Sequence, residues 1–149
     1  MKHLFKSLLV ILFCLPLLAA ASNREDAKAM TLKAVAYVEQ HGVDASREPF
    51  QTKDGAFYQD ELYVFIIDFN GKTLIHGANP KLDGKVLLKL KDPKGNYFMK
   101  DMIEVVKADG GGWVNYMWKH PQTGKLTSKV TYVQKIAGID GLVGCGVFE

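Results

Sequence analysis

Leu62-Tyr63-Val64-Phe65-Ile66-Ile67-Asp68-Phe69-Asn70-Gly71-Lys72-Thr73-Leu74-Ile75-His76 is the stretch whose reading decides the fold. Residues 62–69 are apolar without a break except at Asp68, so both faces of this strand are expected to be covered. Asn70-Gly71 follows, a dipeptide that tolerates positive φ and is the strongest short hairpin signal. Lys72 to His76 then returns as the partner strand.

Upstream, Ser22 to His41 predicts a helix. Ala27, Met30, Ala34, Tyr37 and His41 recur at spacings of three and four on one thin, alanine-rich stripe, as expected of a helix lying along a sheet. Glu25 and Asp26 suit its positive end, Ser22 with Glu25 has the form of a capping box, and Gly42 suits its stop. Downstream, residues 77–95 form a loop rich in Gly, Asn, Pro and Lys, with a turn at Asp92-Pro93-Lys94-Gly95. Tyr97 to Lys107 predicts a short helix turning Phe98, Met102, Val105 and Val106 inward, ended by Gly110-Gly111-Gly112. Three strands follow, Trp113–Lys119, Leu126–Ile136 and Leu142–Phe148, joined by turns at Pro121–Gly124 and Gly138–Gly141. Short links between strands favour an antiparallel sheet, so the class is α+β with one domain.

The first residues have the pattern of a cleavable secretory signal. Lys2 and Lys6 give a basic start, Ser7 to Leu18 an apolar run, and Ala19-Ala20-Ala21 a small-residue cleavage site, which predicts a signal peptide over 1–21 and a domain over 22–149. The apolar run is shorter than the ~20 residues a stable membrane-crossing helix needs. Cleavage would leave 128 of the 149 residues, and 17 of the 19 basic side chains against 16 acidic ones. Such a near-neutral balance excludes an electrostatic footprint for nucleic acid. Cys14 would leave with the signal, so Cys145 has no internal disulfide partner and the core must hold the domain. The expected location is periplasmic or secreted. Since Glu149 follows the last strand, the domain is expected to stand alone and to signal through another protein.

Catalytic signatures are weak. No G-x-S-x-G surrounds a serine, and Cys145 in a glycine-rich final strand reads as a small core residue. His41, His76 and His120 lack paired ligand spacing, so no metal is expected, and no motif calls for a cofactor. Gly144 and Gly146 read as a strand with close backbone approach rather than a nucleotide-binding loop. The lysines between Lys81 and Lys94 read as a solvated loop. More informative is Trp113-Val114-Asn115-Tyr116-Met117-Trp118 beside Ser128-Lys129-Val130-Thr131-Tyr132. Alternation puts Val114, Tyr116 and Trp118 on one strand face and Trp113, Asn115 and Met117 on the other. These aromatic residues serve equally as core or as the walls of a small pocket, with His76 and Lys129 as donors to an anionic head group. As a lone strand residue Lys129 reads first as solvent-facing.

The whole pattern resembles the single Cache domain of the second subtype. Tyr63–Asp68 with Asn70-Gly71, His76-Gly77-Ala78-Asn79-Pro80 and Leu82-Asp83-Gly84-Lys85 carry the resemblance. Asp92, Gly95, Phe98, Gly112-Trp113-Val114, Tyr116, Trp118, Pro121, Lys129–Val133 and Gly144–Phe148 continue it. It implies a PAS-like fold, with a long N-terminal helix along a five- or six-stranded antiparallel sheet and a short helix in the mid-chain crossover. It also implies a sensory module of the kind found in chemoreceptors and histidine kinases, binding a small organic acid. Carried onto this chain, the ligand residues are His76, Tyr116, Trp118, Lys129 and Tyr132. The expected function is non-catalytic binding of a small carboxylate or similar metabolite, with a membrane-bound sensor as partner. The alternative is an interaction subunit that docks on such a sensor with its pocket filled by side chains.

Overall fold

The computed structural model describes residues 18–149, with side chains from Asn23 onward. The expected export signal over residues 1–21 lies outside the described residues, apart from the backbone of its last four. Helix α1 runs Leu18–His41, starting before the expected Ser22 because Leu18 and Ala19 to Ala21 are strong helix formers with no breaker among them. The backbone of Ser22 therefore lies inside the helix rather than at its start, and the expected capping box with Glu25 involves a side chain outside the described ones. Ala27, Met30 and Ala34 are buried as the spacing requires, joined by Thr31, Val35 and Val38. Gly42, at φ 83°, ends the helix, but the chain re-enters helix at once as α2, Val43–Gln51. That helix was not foreseen. It is short, and Pro49 inside it removes a backbone donor that a helix normally uses. No helix among the described residues is long and apolar enough to cross a membrane.

The strands are β1 (Tyr58–Gln59), β2 (Leu62–Asp68), β3 (Thr73–His76), β4 (Gly111–Lys119), β5 (Leu126–Lys135) and β6 (Gly141–Phe148). They form one antiparallel sheet in the order β1-β2-β6-β5-β4, with β3 also on β2. At the β2–β3 turn only Gly71 takes positive φ, at 79°. Asp68 closes the turn by accepting the backbone N–H groups of Asn70 and Lys72, each at 2.9 Å. The unbroken apolar run of β2 has its physical reason in the two cores. Val64 and Ile66 pack with α1 and α2 residues, including Ala34, Val38 and Phe50. Tyr63, Phe65 and Ile67 pack on the opposite face. That second face is covered by α3, Phe98–Asp109, whose buried residues are Phe98, Met99, Met102, Ile103 and Val106, while Val105 is only half-buried.

The segment between β3 and α3 is held at both ends by carboxylates. Asp83 accepts the N–H of His76 at 2.8 Å, Gln51 Nε2 at 2.7 Å and Arg47 Nη1 at 2.5 Å, tying the loop to β3 and α2. Asp92 is buried and accepts the N–H groups of Lys94 and Asn96, the Asn96 side-chain amide, and the N–H of Met117 on β4. Burial would raise the Asp92 carboxyl, but the donors from Asn96, Met117 and Lys94 outweigh it and hold the group below the ordinary carboxylate value. A carboxyl depressed in the folded state stabilises above its unfolded value, and that contribution is lost as pH falls through the folded value. Asp92→Asn should therefore lower the urea midpoint at pH 7. Its deficit against the parent should shrink in acid, and a deficit that stays constant with pH would remove the charge from the explanation.

Candidate ligand-binding site

Alternation along four strands brings the site together on the face covered by α3. Tyr116 pairs in register with Lys129 across β4 and β5, so both side chains leave the same face. Trp118 lies two residues from Tyr116, and His76 ends β3 opposite Phe65. His76, Tyr116 and Trp118 line one narrow, mainly apolar cavity of about 20 Å³, with Phe65, Thr73 and Met102 among its other walls. That is room for about one water. Beyond His76 and Trp118 lies a wider, more open cleft of about 410 Å³, bordered by Tyr63, Asn79, His120 and Leu126.

The aromatic groups form a packed frame. Tyr116 stacks on Phe98 with centroids 4.7 Å apart, and Trp118 meets Phe98 edge-on at 5.5 Å. The His76 ring lies 5.0 Å from that of Tyr63 and 6.0 Å from that of Trp118. The Tyr116 hydroxyl is 3.1 Å from Thr131 Oγ1. Burial pushes both the Tyr63 and the Tyr116 hydroxyls well above their ordinary values, so both stay protonated. His76 Nδ1 accepts the N–H of Asn79 at 3.0 Å. Desolvation, aided by the charge of Lys129, lowers the imidazole to about 3. Neutral and with Nδ1 occupied as acceptor, the ring carries its proton on Nε2 and offers one uncharged donor.

Lys129 is the electrostatic centre. It is 2 % exposed rather than solvent-facing. Its Nζ lies 3.9 Å from the Tyr63 ring centroid and 4.7 Å from that of Phe148. It has no hydrogen-bond partner among the described residues. Burial drives its ammonium down to about 7, against weaker opposing effects of Cys145 and Glu61. The carboxylate of Glu61 is itself 3.1 Å from His120 Nε2.

Four of the five residues expected from sequence share this face, and Tyr132 does not. It pairs with Trp113 on the other side of the sheet, with ring centroids 5.2 Å apart, and Lys28 of α1 sits over its ring at 5.1 Å. Lys129 and Tyr132 are three residues apart on one strand, and an odd separation puts side chains on opposite faces. Sequence reading also passed over Tyr63, Phe98 and Thr131, which frame the chamber. Tyr63 could have been found by alternation with Phe65 and Ile67. Thr131 needed the β4–β5 register. Cys145 is wholly buried on the α1 face beside Met30, and burial pushes its thiol up to about 12.

A family model described as "Cache domain" matches residues 51–148. The chain belongs to the Cache domain family. Among curated proteins, this Cache domain is 30% identical over 104 residues to the methyl-accepting chemotaxis protein McpP of Pseudomonas putida, an alignment covering 70% of this chain and 19% of that receptor. The match thus spans about a fifth of the receptor's length. Among solved structures, a periplasmic sensor domain of a chemotaxis protein superposes with TM-score 0.75 at 24% identity, covering 87% of this chain and 97% of that one. A second, reported as the structural basis for carboxylic acid recognition by a Cache chemosensory domain, gives TM-score 0.71 at 27% identity, covering 88% and 95%. The α+β, PAS-like architecture expected from sequence is the one these structures share.

Proposed function

We propose that this Cache domain is an extracytoplasmic, non-catalytic sensory module that binds a small monocarboxylate and passes the signal to a separate membrane-bound sensor. The observation that carries the reading is the Lys129 ammonium, buried, without a hydrogen-bond partner among the described residues, and held against the Tyr63 and Phe148 rings on the face that also carries His76, Tyr116 and Trp118. An anionic head group supplies what that cation lacks. His76 adds one neutral donor through Nε2, while Tyr116, Trp118 and Phe98 enclose an apolar tail. Among the described residues Lys129 is the one buried lysine or arginine, which disfavours dicarboxylates, and no acidic side chain among them lines the narrow cavity to receive the ammonium of an amino acid. The structure reported for carboxylic acid recognition in a related Cache domain supports the same ligand class. The buried, protonated thiol of Cys145 lacks the activated nucleophile that covalent catalysis needs.

The small volume of the inner cavity favours a second reading, a docking subunit whose chamber is filled by its own side chains. Even the smallest carboxylate needs Trp118 and the His76–Asn79 turn to part. A thermal-shift series on the purified protein separates the two. A monocarboxylate at a hundredfold its dissociation constant adds about 2.7 kcal/mol, a rise of roughly 5–10 °C for a domain of this size. Dicarboxylates, amino acids, amines and urea should shift the midpoint little. A flat response across every class would leave the docking subunit as the function.

A further inference from the structure

The segment between β3 and α3 sorts its charges in a way that the chamber does not require. From Gly77 to Asn96 it holds five lysines, Lys81, Lys85, Lys89, Lys91 and Lys94, and two acids, Asp83 and Asp92. Both acids are turned inward and spent on the hydrogen bonds that tie the loop to α2, β3 and β4. All five lysines are exposed, and none forms an ion pair among the described residues. Between them two aliphatic side chains point outward as well, Val86 at 65% exposure and Leu90 at 40%. Leu87 and Leu88, by contrast, are half-buried and hold the strip down. Backbone bonds from Leu87 to Gly71 and from Thr73 to Lys85 fix it against the β2–β3 hairpin, where Val86 bridges to the exposed Lys72.

We propose that the Lys85–Lys94 strip docks this domain on an anionic lipid surface. Residues 22–149 carry 17 basic and 16 acidic side chains, so concentrating unpaired lysines on one strip is a segregation of charge, not an overall basicity. The complementary partner is anionic. A bilayer receives projecting aliphatic groups without a shaped pocket, whereas a protein would need one matched to Val86 and Leu90. Its anionic headgroups can also gather beneath the lysines. The two effects act together, apolar insertion holding the strip and charge attraction supplying the selectivity.

The test is flotation of the protein with vesicles of phosphatidylcholine alone and of phosphatidylcholine with phosphatidylglycerol. Binding is expected only to the second, and should fall as salt rises because exposed charges are screened. Lys85→Glu with Lys89→Glu should weaken it by more than the roughly fivefold per lysine that neutralisation alone gives. Val86→Ser with Leu90→Ser should weaken it at every salt concentration. All four positions are exposed, and an unchanged melting temperature would verify that the variants fold. Absence of binding to phosphatidylglycerol vesicles at low salt would overturn the proposal, as would binding indifferent to both double variants. Capture on immobilised polyglutamate without vesicle binding would overturn it in favour of an acidic protein partner. None of these outcomes depends on the chamber.

Discussion

Replacing Lys129 with methionine is expected to raise the melting temperature by roughly 5–10 °C and to abolish carboxylate binding in the same variant. The stability gain follows from burial. A methionine fills the stem's volume between the Tyr63 and Phe148 rings without a charge to desolvate, and exchanges of buried ions for apolar groups of similar size commonly stabilise by about 1–4 kcal/mol. The binding loss follows from the ligand's side. A carboxylate entering the chamber would find no cation, and leaving a buried charge unpaired costs roughly 3–5 kcal/mol, a hundredfold or more in affinity.

The pH dependence checks the assignment independently. Folding lowers Lys129 to about 7, below the ~10.4 of an unfolded lysine. Between those values the unfolded chain retains a proton that the folded chain has shed, so the parent's stability rises with pH across that window. Below pH 7 both states are protonated and the folded state carries the full desolvation cost. The advantage of Lys129→Met should therefore be largest below pH 7 and vanish towards pH 10. Ligand binding needs the ammonium, so the parent's affinity should fall about tenfold per pH unit above 7, with net proton uptake seen by calorimetry in buffers of different ionisation heat. A variant that is destabilised, or that still binds, would remove Lys129 from the centre of the site.

How much of this was legible in the sequence depends on which physical signal carried it. The sheet was readable because a two-sided apolar strand, an Asn-Gly turn and a three-strand meander are local patterns, and β2, β4, β5 and β6 fall within a residue or two of their expected bounds. Helix α2 was not, since Pro49 disfavours helix locally and the burial of Phe50 against the sheet overrides it. At the site, alternation alone joins Tyr116 to Trp118 and separates Tyr132 from Lys129. What alternation cannot give is depth. Lys129 has the look of a surface strand residue until register places it opposite Tyr116 and Phe148, beneath Tyr63. The inward turn of Asp83 and Asp92 was likewise hidden, because an alternation of lysines with acids reads as a solvated loop until the acids' partners are known.

Gly146→Ala is expected to cost about 3 kcal/mol, the upper part of the range for overpacking, and to lower the melting temperature by roughly 10 °C. Strand β6 turns Leu142, Gly144 and Gly146 toward the chamber, so glycine forms its floor where other groups come closest. A Cβ at Gly146 would lie 2.2 Å from Thr131 Oγ1, 2.4 Å from the Val130 carbonyl oxygen and 2.8 Å from Thr131 Cα. Two of these three atoms are backbone of the paired strand, so relief requires β5 and β6 to part. At Gly144 the clash is with the Phe65 ring alone, at 2.4 Å, and a rotating side chain relieves it more cheaply. Urea midpoints should therefore rank Gly146→Ala below Gly144→Ala. Gly84, by contrast open, at φ 81° with nothing within 4 Å of an added Cβ, should lose only about 1 kcal/mol from its backbone conformation. Gly146→Ala also pushes on Thr131, the partner of the Tyr116 hydroxyl, so it should weaken carboxylate binding beyond its effect on stability. An order in which Gly84→Ala is the most damaging would mean that backbone conformation, not the close approach of β5 and β6, sets the cost of a side chain in this fold.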